Sequence, residues 1–272
     1  MKKKQIPSKI YTALVFLFLY APIFVLIIYS FNASNSTAVF AGFSLKWYRE
    51  LANDAATLGA LKNTLIIAVL SSVFATVIGT AAAVGIDAYR LKWLKNAVLS
   101  VTDIPMMNPE IVTGISMMFL FVFIGRALNI SGVLGFWTLL IAHITFNLPY
   151  VILSVMPKLR QTDVHLSEAA MDLGCTPFQS FFKVVLPAIM PGIMTGMIMA
   201  FTLSLDDFII SHFTSGPKSQ TLPLRIFAMT KRRVTPDMYA LSTLIFAAIL
   251  VLLLLVNFSQ ARSEKIKSAK GK

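Results

Sequence analysis

Apolar positions dominate this chain in long unbroken blocks. No Asp, Glu, Lys or Arg stands between Lys9 and Lys46, a run of 36 residues. Similar runs separate Lys62 from Asp87 (24 residues), Arg126 from Lys158 (31), Lys183 from Asp206 (22) and Asp237 from Arg262 (24). A bilayer core about 30 Å thick is crossed by about 20 helical residues rising 1.5 Å each. The pattern therefore predicts an all-α polytopic membrane protein and excludes a water-soluble globule. Spans are expected at about 10–31, 61–85, 133–156, 187–211 and 238–258. A sixth, 97–125, is interrupted by Asp103 and Glu110. Its second half, IVTGISMMFLFVFIG, is as apolar as any other span, so it completes a set of six within a single transmembrane domain covering 1–272.

Composition agrees: 57% of residues are hydrophobic and 13% charged, against roughly 25% charged in a soluble domain. The net charge of +12 would point to nucleic acid in a soluble chain. Here the cations cluster at the ends and between apolar runs, which fits membrane orientation, anionic lipid and no nucleic acid. With the N-terminus inside, 15 Lys and Arg fall on the cytoplasmic side and 9 outside, so both termini are expected in the cytoplasm. Lys231, Arg232 and Arg233 run against that bias on the outer side. Residues 10–31 exceed the 7–15 apolar residues usual in a signal peptide, and an uncleaved anchor is expected. In the outer loop 32–60, Trp47 and Tyr48 read as an interfacial aromatic pair. Asn32 and Asn35 begin acceptor triplets for glycosylation, which short polar loops produce by chance. One cysteine, Cys175, excludes an intrachain disulfide or a multi-cysteine metal site, and no metal is expected.

The sharpest local signal lies in the cytoplasmic loop 157–186. Asp163 can cap a helix running from Val164 to Leu173, a stretch free of Gly and Pro. Gly174 offers the left-handed stop, and Pro177 prevents continuation. Leu166, Ala169, Ala170 and Leu173 recur at i, i+3, i+4 and i+7 and give a small apolar face. Glu168 and Asp172, one turn apart on its flank, repel weakly unless a partner supplies cations. Acidic residues are also poor neighbours for anionic lipid. The features point to a docking helix rather than a lipid-surface one.

This loop resembles the signature of ABC importer permeases, Glu-Ala-Ala followed at fixed spacing by Gly and by Ile-x-Leu-Pro. The chain carries Glu168, Ala169, Ala170, Gly174, Leu186 and Pro187 in register, with Val184 replacing the isoleucine. GFSLKWY, MNPEIVTGIS, HITFNLPYV, SLDDFIISHFTSGP and LPLRIFAM extend the likeness along nearly the whole chain. It resembles the spermidine/putrescine permeases of the PotC type, within the binding-protein-dependent transport system inner membrane component family. The resemblance implies a type I ABC importer permease in the bacterial inner membrane, with Glu168, Ala169, Ala170, Asp172, Gly174, Leu186 and Pro187 coupling it to a motor. It implies two ATP-binding subunits, a second homologous permease and an extracytoplasmic polyamine-binding protein as partners. The chain has no phosphate-binding loop of the GxxxxGK[ST] form. ATP and Mg are therefore expected on the partner ATPase, with no cofactor and no catalysis in this chain.

Carboxylates inside a bilayer are expensive, and those present should face protein or water. On a continuous third span, Asp103 and Glu110 fall within about 20° of one face, about 10.5 Å apart along the axis. Asp206 and Asp207 near the outer part of span 5 lie on adjacent faces, so one can line a path while the other makes a helix contact. Glu110, Asp206, Asp207 and Asp103 are the candidates for a substrate pathway, since spaced carboxylates complement an extended polycation. The alternative for Asp103 is an ion pair with Lys95 or Arg90. His143 reads as a hydrogen-bonded packing residue. Gly192 and Gly196 have GxxxG spacing suited to a subunit seam. Another small solute as cargo remains open, as does an ion-coupled carrier, although no second half repeats the first. A membrane enzyme lacks the required cluster of catalytic side chains.

Overall fold

The structure is a computed structural model and describes residues 5–35, 39–89, 91–163, 165–231, 236–248 and 250–251. Among these residues it is helical, and the extended pairing is one isolated bridge between Asn32 and Phe43. The helices are α1 (Gln5–Ser30), α2 (Lys46–Asn53), α3 (Ala55–Ala88), α4 (Lys92–Met107), α5 (Glu110–Ala127) and α6 (Phe136–Gln161). Next come α7 (His165–Asp172), α8 (Pro177–Ser180), a π-helical turn (Phe181–Val185), α9 (Leu186–Asp206), α10 (Ile209–Thr214) and α11 (Leu222–Thr230). A last helix, α12, opens at 236 and continues to 248.

Among the described residues, five helical segments are long and apolar enough to cross a bilayer: Lys9–Ser30, Ala55–Ala88, Glu110–Ala127, Phe136–Gln161 and Pro177–Asp206. The predicted span 238–258 begins within α12, and its part beyond 251 lies outside the described residues. The chain divides into two compact units, one from Met1–Leu58 with Ile226–Lys272, the other Gly59–Arg225.

In the larger unit α6 is the hub, because its apolar residues meet partners on several sides. Val151, Ile152, Val155 and Met156 form a core with Ala75, Ala83 and Ile86 of α3 and Ile189, Ile193 and Ala200 of α9. Ala142 and Phe146 join Phe121 of α5 and Ile210 of α10 in a second cluster. Small residues make the α6–α9 approach close. A Cβ at Gly192 would stand 2.8 Å from the Ser154 carbonyl oxygen, and one at Gly196 3.2 Å from Val151 Cα. The GxxxG pair is thus consumed by a contact within the chain, not by a seam between subunits.

In the smaller unit the polar loop after α1 folds onto its own polar groups. The Asn32 side chain donates to Val39 O at 2.7 Å and accepts from the amides of Ser34 and Ala41. It is fully buried, which removes it as a glycosylation acceptor. Trp47 is also buried, its Nε1–H donating to Asn32 O at 2.7 Å, and the Tyr48 hydroxyl lies 2.6 Å from Ser30 Oγ. Both rings are spent on the loop, so the expected interfacial pair is corrected to an internal scaffold.

Two predicted spans are broken, each for a local reason. The stretch 97–125 divides between α4 and α5 at Asn108 and Pro109. A residue before proline is pushed toward extended backbone, and Asn108 takes φ −78, ψ 144. Proline's fixed φ then suits the entry to α5. At the other break, α9 ends at Asp206 rather than near Ser211, and Asp207 is extended with ψ 123. Its Oδ1 accepts the Ile210 amide at 3.1 Å and its Oδ2 the Ser211 amide at 2.7 Å. The side chain thereby satisfies donors that α10 leaves free at its first turn.

Candidate functional site

The docking segment has the expected punctuation. The Asp163 carboxylate accepts the His165 amide at 3.0 Å and α7 covers His165–Asp172; Val164 lies outside the described residues. At the far end Gly174 has φ +91. Its N–H bonds Met171 O at 2.9 Å, while the Cys175 N–H reaches back to Ala170 O at 3.1 Å. This paired closure needs a left-handed residue at Gly174. Ala170 is buried, while Leu166, Ala169 and Leu173 are exposed together with Glu168 and Asp172. Glu168 has a local partner: its Oε2 lies 2.9 Å from His165 Nδ1. That hydrogen bond, followed by the Glu168 charge, raises the His165 pKa above its ordinary value.

α7 is fastened to α8 through Ser167 and Ser180, whose hydroxyls lie 2.9 Å apart. Thr176 and Gln179 form a reciprocal capping box at the start of α8. Here the structure corrects the expected start of span 5. Pro177–Asp206 is one helical run, and Leu186 and Pro187 lie inside it. Pro187 has no N–H to give to the preceding turn, and the π-helical turn stands just before it, with Leu186 N–H bonding Phe181 O, five residues back. α7 is thus joined, through the Ser167–Ser180 link, to one continuous helical run into α9.

At the other end of α9 the two helix breaks come together. α5 packs on α10, and a Cβ at Gly114 would lie 3.0 Å from the Phe213 ring and 3.5 Å from Ile209 O. Glu110, the first residue of α5, is exposed and within electrostatic range of Asp207 and Asp206. Asp206 is exposed, whereas Asp207 is buried in hydrogen bonds. Of the adjacent pair, Asp207 makes the helix contact and Asp206 is left accessible. Because α6 and α9 meet at His143 and Ser204, this junction sits seven residues into α6, about 10 Å from the end of that helix. Tyr150 of α6 is within electrostatic range of Glu110 and stacks at a tilt on Phe146. Its spacing of seven from His143 places the two on one helix face, a sequence signal that reading for carboxylates alone overlooked.

Asp103 does not share a helix with Glu110, so the common acidic stripe is corrected. It lies on α4 beside a cavity of about 430 Å³ whose walls include Leu99, Leu153 and Arg160, and its Oδ1 is buried without a hydrogen-bond partner. The alternative pairing with Lys95 is not formed: Lys95 Nζ bonds Asp87 Oδ1 at 2.6 Å. Arg90, Arg232 and Arg233 lie outside the described residues, while Lys231 sits over the Phe227 ring at 4.6 Å. Among the described residues no group of His, Cys, Asp and Glu could hold a metal ion.

Long apolar helices, two of them interrupted beside carboxylates, and a short exposed helix, α7, in the loop before α9 define a multi-span membrane protein. The family model for the binding-protein-dependent transport system inner membrane component matches residues 75–266. The chain is 40% identical over 250 residues to the putrescine transport system permease protein PotI of Escherichia coli K12, covering 92% of this chain and 89% of that one. It is also 40% identical over 240 residues to the spermidine/putrescine transport system permease protein PotC of the same strain, with 88% of each chain covered. The fold matches a chain of a bacterial ABC transporter that imports alginate, at TM-score 0.70 and 19% identity, covering 95% and 93% of the two chains. This chain belongs to the family of inner membrane components of binding-protein-dependent transport systems. It is a non-catalytic, multi-pass permease subunit of the bacterial inner membrane.

Proposed function

We propose that this permease carries polyamines, spermidine or putrescine, as one half of the translocation pathway of an ATP-driven importer. Its partners are a second, homologous permease, two ATPase subunits that bind ATP and Mg, and an extracytoplasmic polyamine-binding protein. Both chain termini and α7 lie in the cytoplasm, and α7, with Glu168, Ala169, Ala170, Asp172 and Gly174, docks on the ATPase. Leu186 and Pro187 continue its route into α9. The observation that carries the cargo reading is the placing of Glu110 and Asp206 at facing helix breaks, with 40% identity to polyamine permeases behind it. A polyamine is an extended chain of separated ammonium groups. Accessible carboxylates on different helices meet such a chain through several weak contacts, each of which releases easily. The carbonyl ends of α4 and α9 add negative partial charge where those helices stop. Asp103 serves as a later contact toward the cytoplasm, and Asp207 holds the junction together.

The test is Glu110→Gln in the reconstituted complex with radiolabelled spermidine and putrescine. Uptake per assembled complex should fall about tenfold or more, with assembly and basal ATP hydrolysis unchanged. Normal uptake per complex with poor assembly would make Glu110 a structural residue and remove it from the path.

A further inference from the structure

His143 is the most enclosed ionisable side chain in the α6 core, with 1% of its surface exposed. Its partners are more specific than packing requires. Nδ1 lies 2.5 Å from Ser204 Oγ, in the last turn of α9. Nε2 lies 3.1 Å from Ser211 Oγ in α10 and 3.4 Å from Asp207 Oδ2, in the break between them. Ser204 Oγ is a further 2.8 Å from Ser71 Oγ of α3. With its proton on Nε2, the imidazole fits these contacts: the Ser71 hydroxyl donates to Ser204, the Ser204 hydroxyl donates to Nδ1, and Nε2–H points to the Ser211 hydroxyl and the Asp207 carboxylate beside it. That carboxylate then holds its buried charge against one imidazole and two backbone N–H groups. The opposite tautomer would aim a nitrogen lone pair at the carboxylate.

We infer that His143 is a positioning residue for the translocation path: by gripping Ser204, Asp207 and Ser211 it fixes the break between α9 and α10, and so keeps Asp206 turned to the accessible side near Glu110. The imidazole touches the chain before, at and after the interruption, so it sets the angle at which α10 leaves α9. Asp206 and Asp207 are adjacent, and the chain can bury only one of them in this network. With His143 removed, the buried carboxylate loses its imidazole partner, and the alternation that separates the two carboxylates loses an anchor. This inference rests on the reading of Glu110 and Asp206 as cation contacts.

The experiment compares wild type with His143→Gln, His143→Asn, His143→Ala and Glu110→Gln in the complete importer in proteoliposomes. It measures spermidine uptake, ATP hydrolysis and assembled complex. A glutamine amide reaches the Nε2 position and keeps a donor on Asp207. An asparagine amide reaches only the Nδ1 position and keeps only Ser204. Uptake per ATP hydrolysed should stay within about threefold of wild type for H143Q and fall tenfold or more for H143N and H143A. The KM for receptor-delivered spermidine should move less than twofold in all three. Equal losses in H143Q and H143N, or losses that merely track the amount of complex, would overturn the inference. If H143A does not assemble, the two amide variants decide alone. Loss in H143N with normal uptake in E110Q would leave the grip on the break but refute the path it serves, and the inference would fall with its premise. Loss in E110Q with normal uptake in H143N would refute the positioning role alone.

Discussion

Replacing Gly192 by alanine sets two effects of opposite sign against each other. In a helix interior alanine is favoured over glycine by about 1 kcal/mol. At Gly192, however, the added Cβ would stand 2.8 Å from the Ser154 carbonyl oxygen, where ordinary contact begins at 3.4 Å. The shortfall of about 0.6 Å falls on backbone, which cannot swing aside as the nearby Lys158 side chain can. Overpacking of this kind costs about 1–3 kcal/mol, so set against the propensity gain the net loss is about 0–2 kcal/mol. Gly85 of α3 is the control, because a Cβ there meets nothing within 4 Å and alanine should be neutral or stabilising by up to about 1 kcal/mol. Gly196 should fall between them, its tightest contact being 3.2 Å. Unfolding of the purified permease by SDS in mixed micelles gives the three values on one scale. If Gly192→Ala matched Gly85→Ala in sign and size, α6 and α9 would not be in the close contact described, and the shared core built on it would be wrong.

Gly174→Ala places a Cβ on a backbone with φ +91 and should fray the end of α7. The expected result is loss of ATP-driven uptake by several-fold with normal membrane insertion, checked by transport and membrane fractionation side by side. Trp47→Phe keeps an aromatic ring, smaller than the indole, and removes the donor to Asn32 O, leaving a buried carbonyl short of a partner at a cost of about 1–3 kcal/mol on top of the volume lost. Faster proteolysis of the loop between α1 and α2 should report it, and unchanged cleavage would show that the bond contributes nothing. His165 titrates above its ordinary 6.5 because of Glu168. Its charge attraction to Glu168 is therefore present below that value and is lost as pH rises through the raised pKa. Glu168→Gln should bring the imidazole midpoint, read by NMR, back down toward 6.5, and a stationary midpoint would refute the pairing.

Features that depend on local rules were legible in the amino-acid order. Charge-free runs announce membrane helices because a bilayer penalises an unpaired backbone group or a side-chain charge wherever it lies in the fold. Asp163 and Gly174 bracket α7 because capping and left-handed closure involve only neighbours along the chain. The break at Asn108 and Pro109 was carried by the proline yet hidden by hydropathy, which saw one apolar stretch where a span had two segments. Other outcomes belong to pairs distant in sequence. Asp206 and Asp207 are chemically identical neighbours, and the one that is buried, Asp207, meets His143, more than 60 residues earlier, as well as the amides of α10. Gly192 and Gly196 could have served a partner subunit, and the approach of α6 to within contact distance decides that they do not. Trp47 and Tyr48 carry the composition of an interfacial belt until Asn32 and Ser30 occupy their polar atoms. Length and hydropathy are properties of a segment by itself, whereas the side a residue turns, and what it meets there, is a property of two segments brought together.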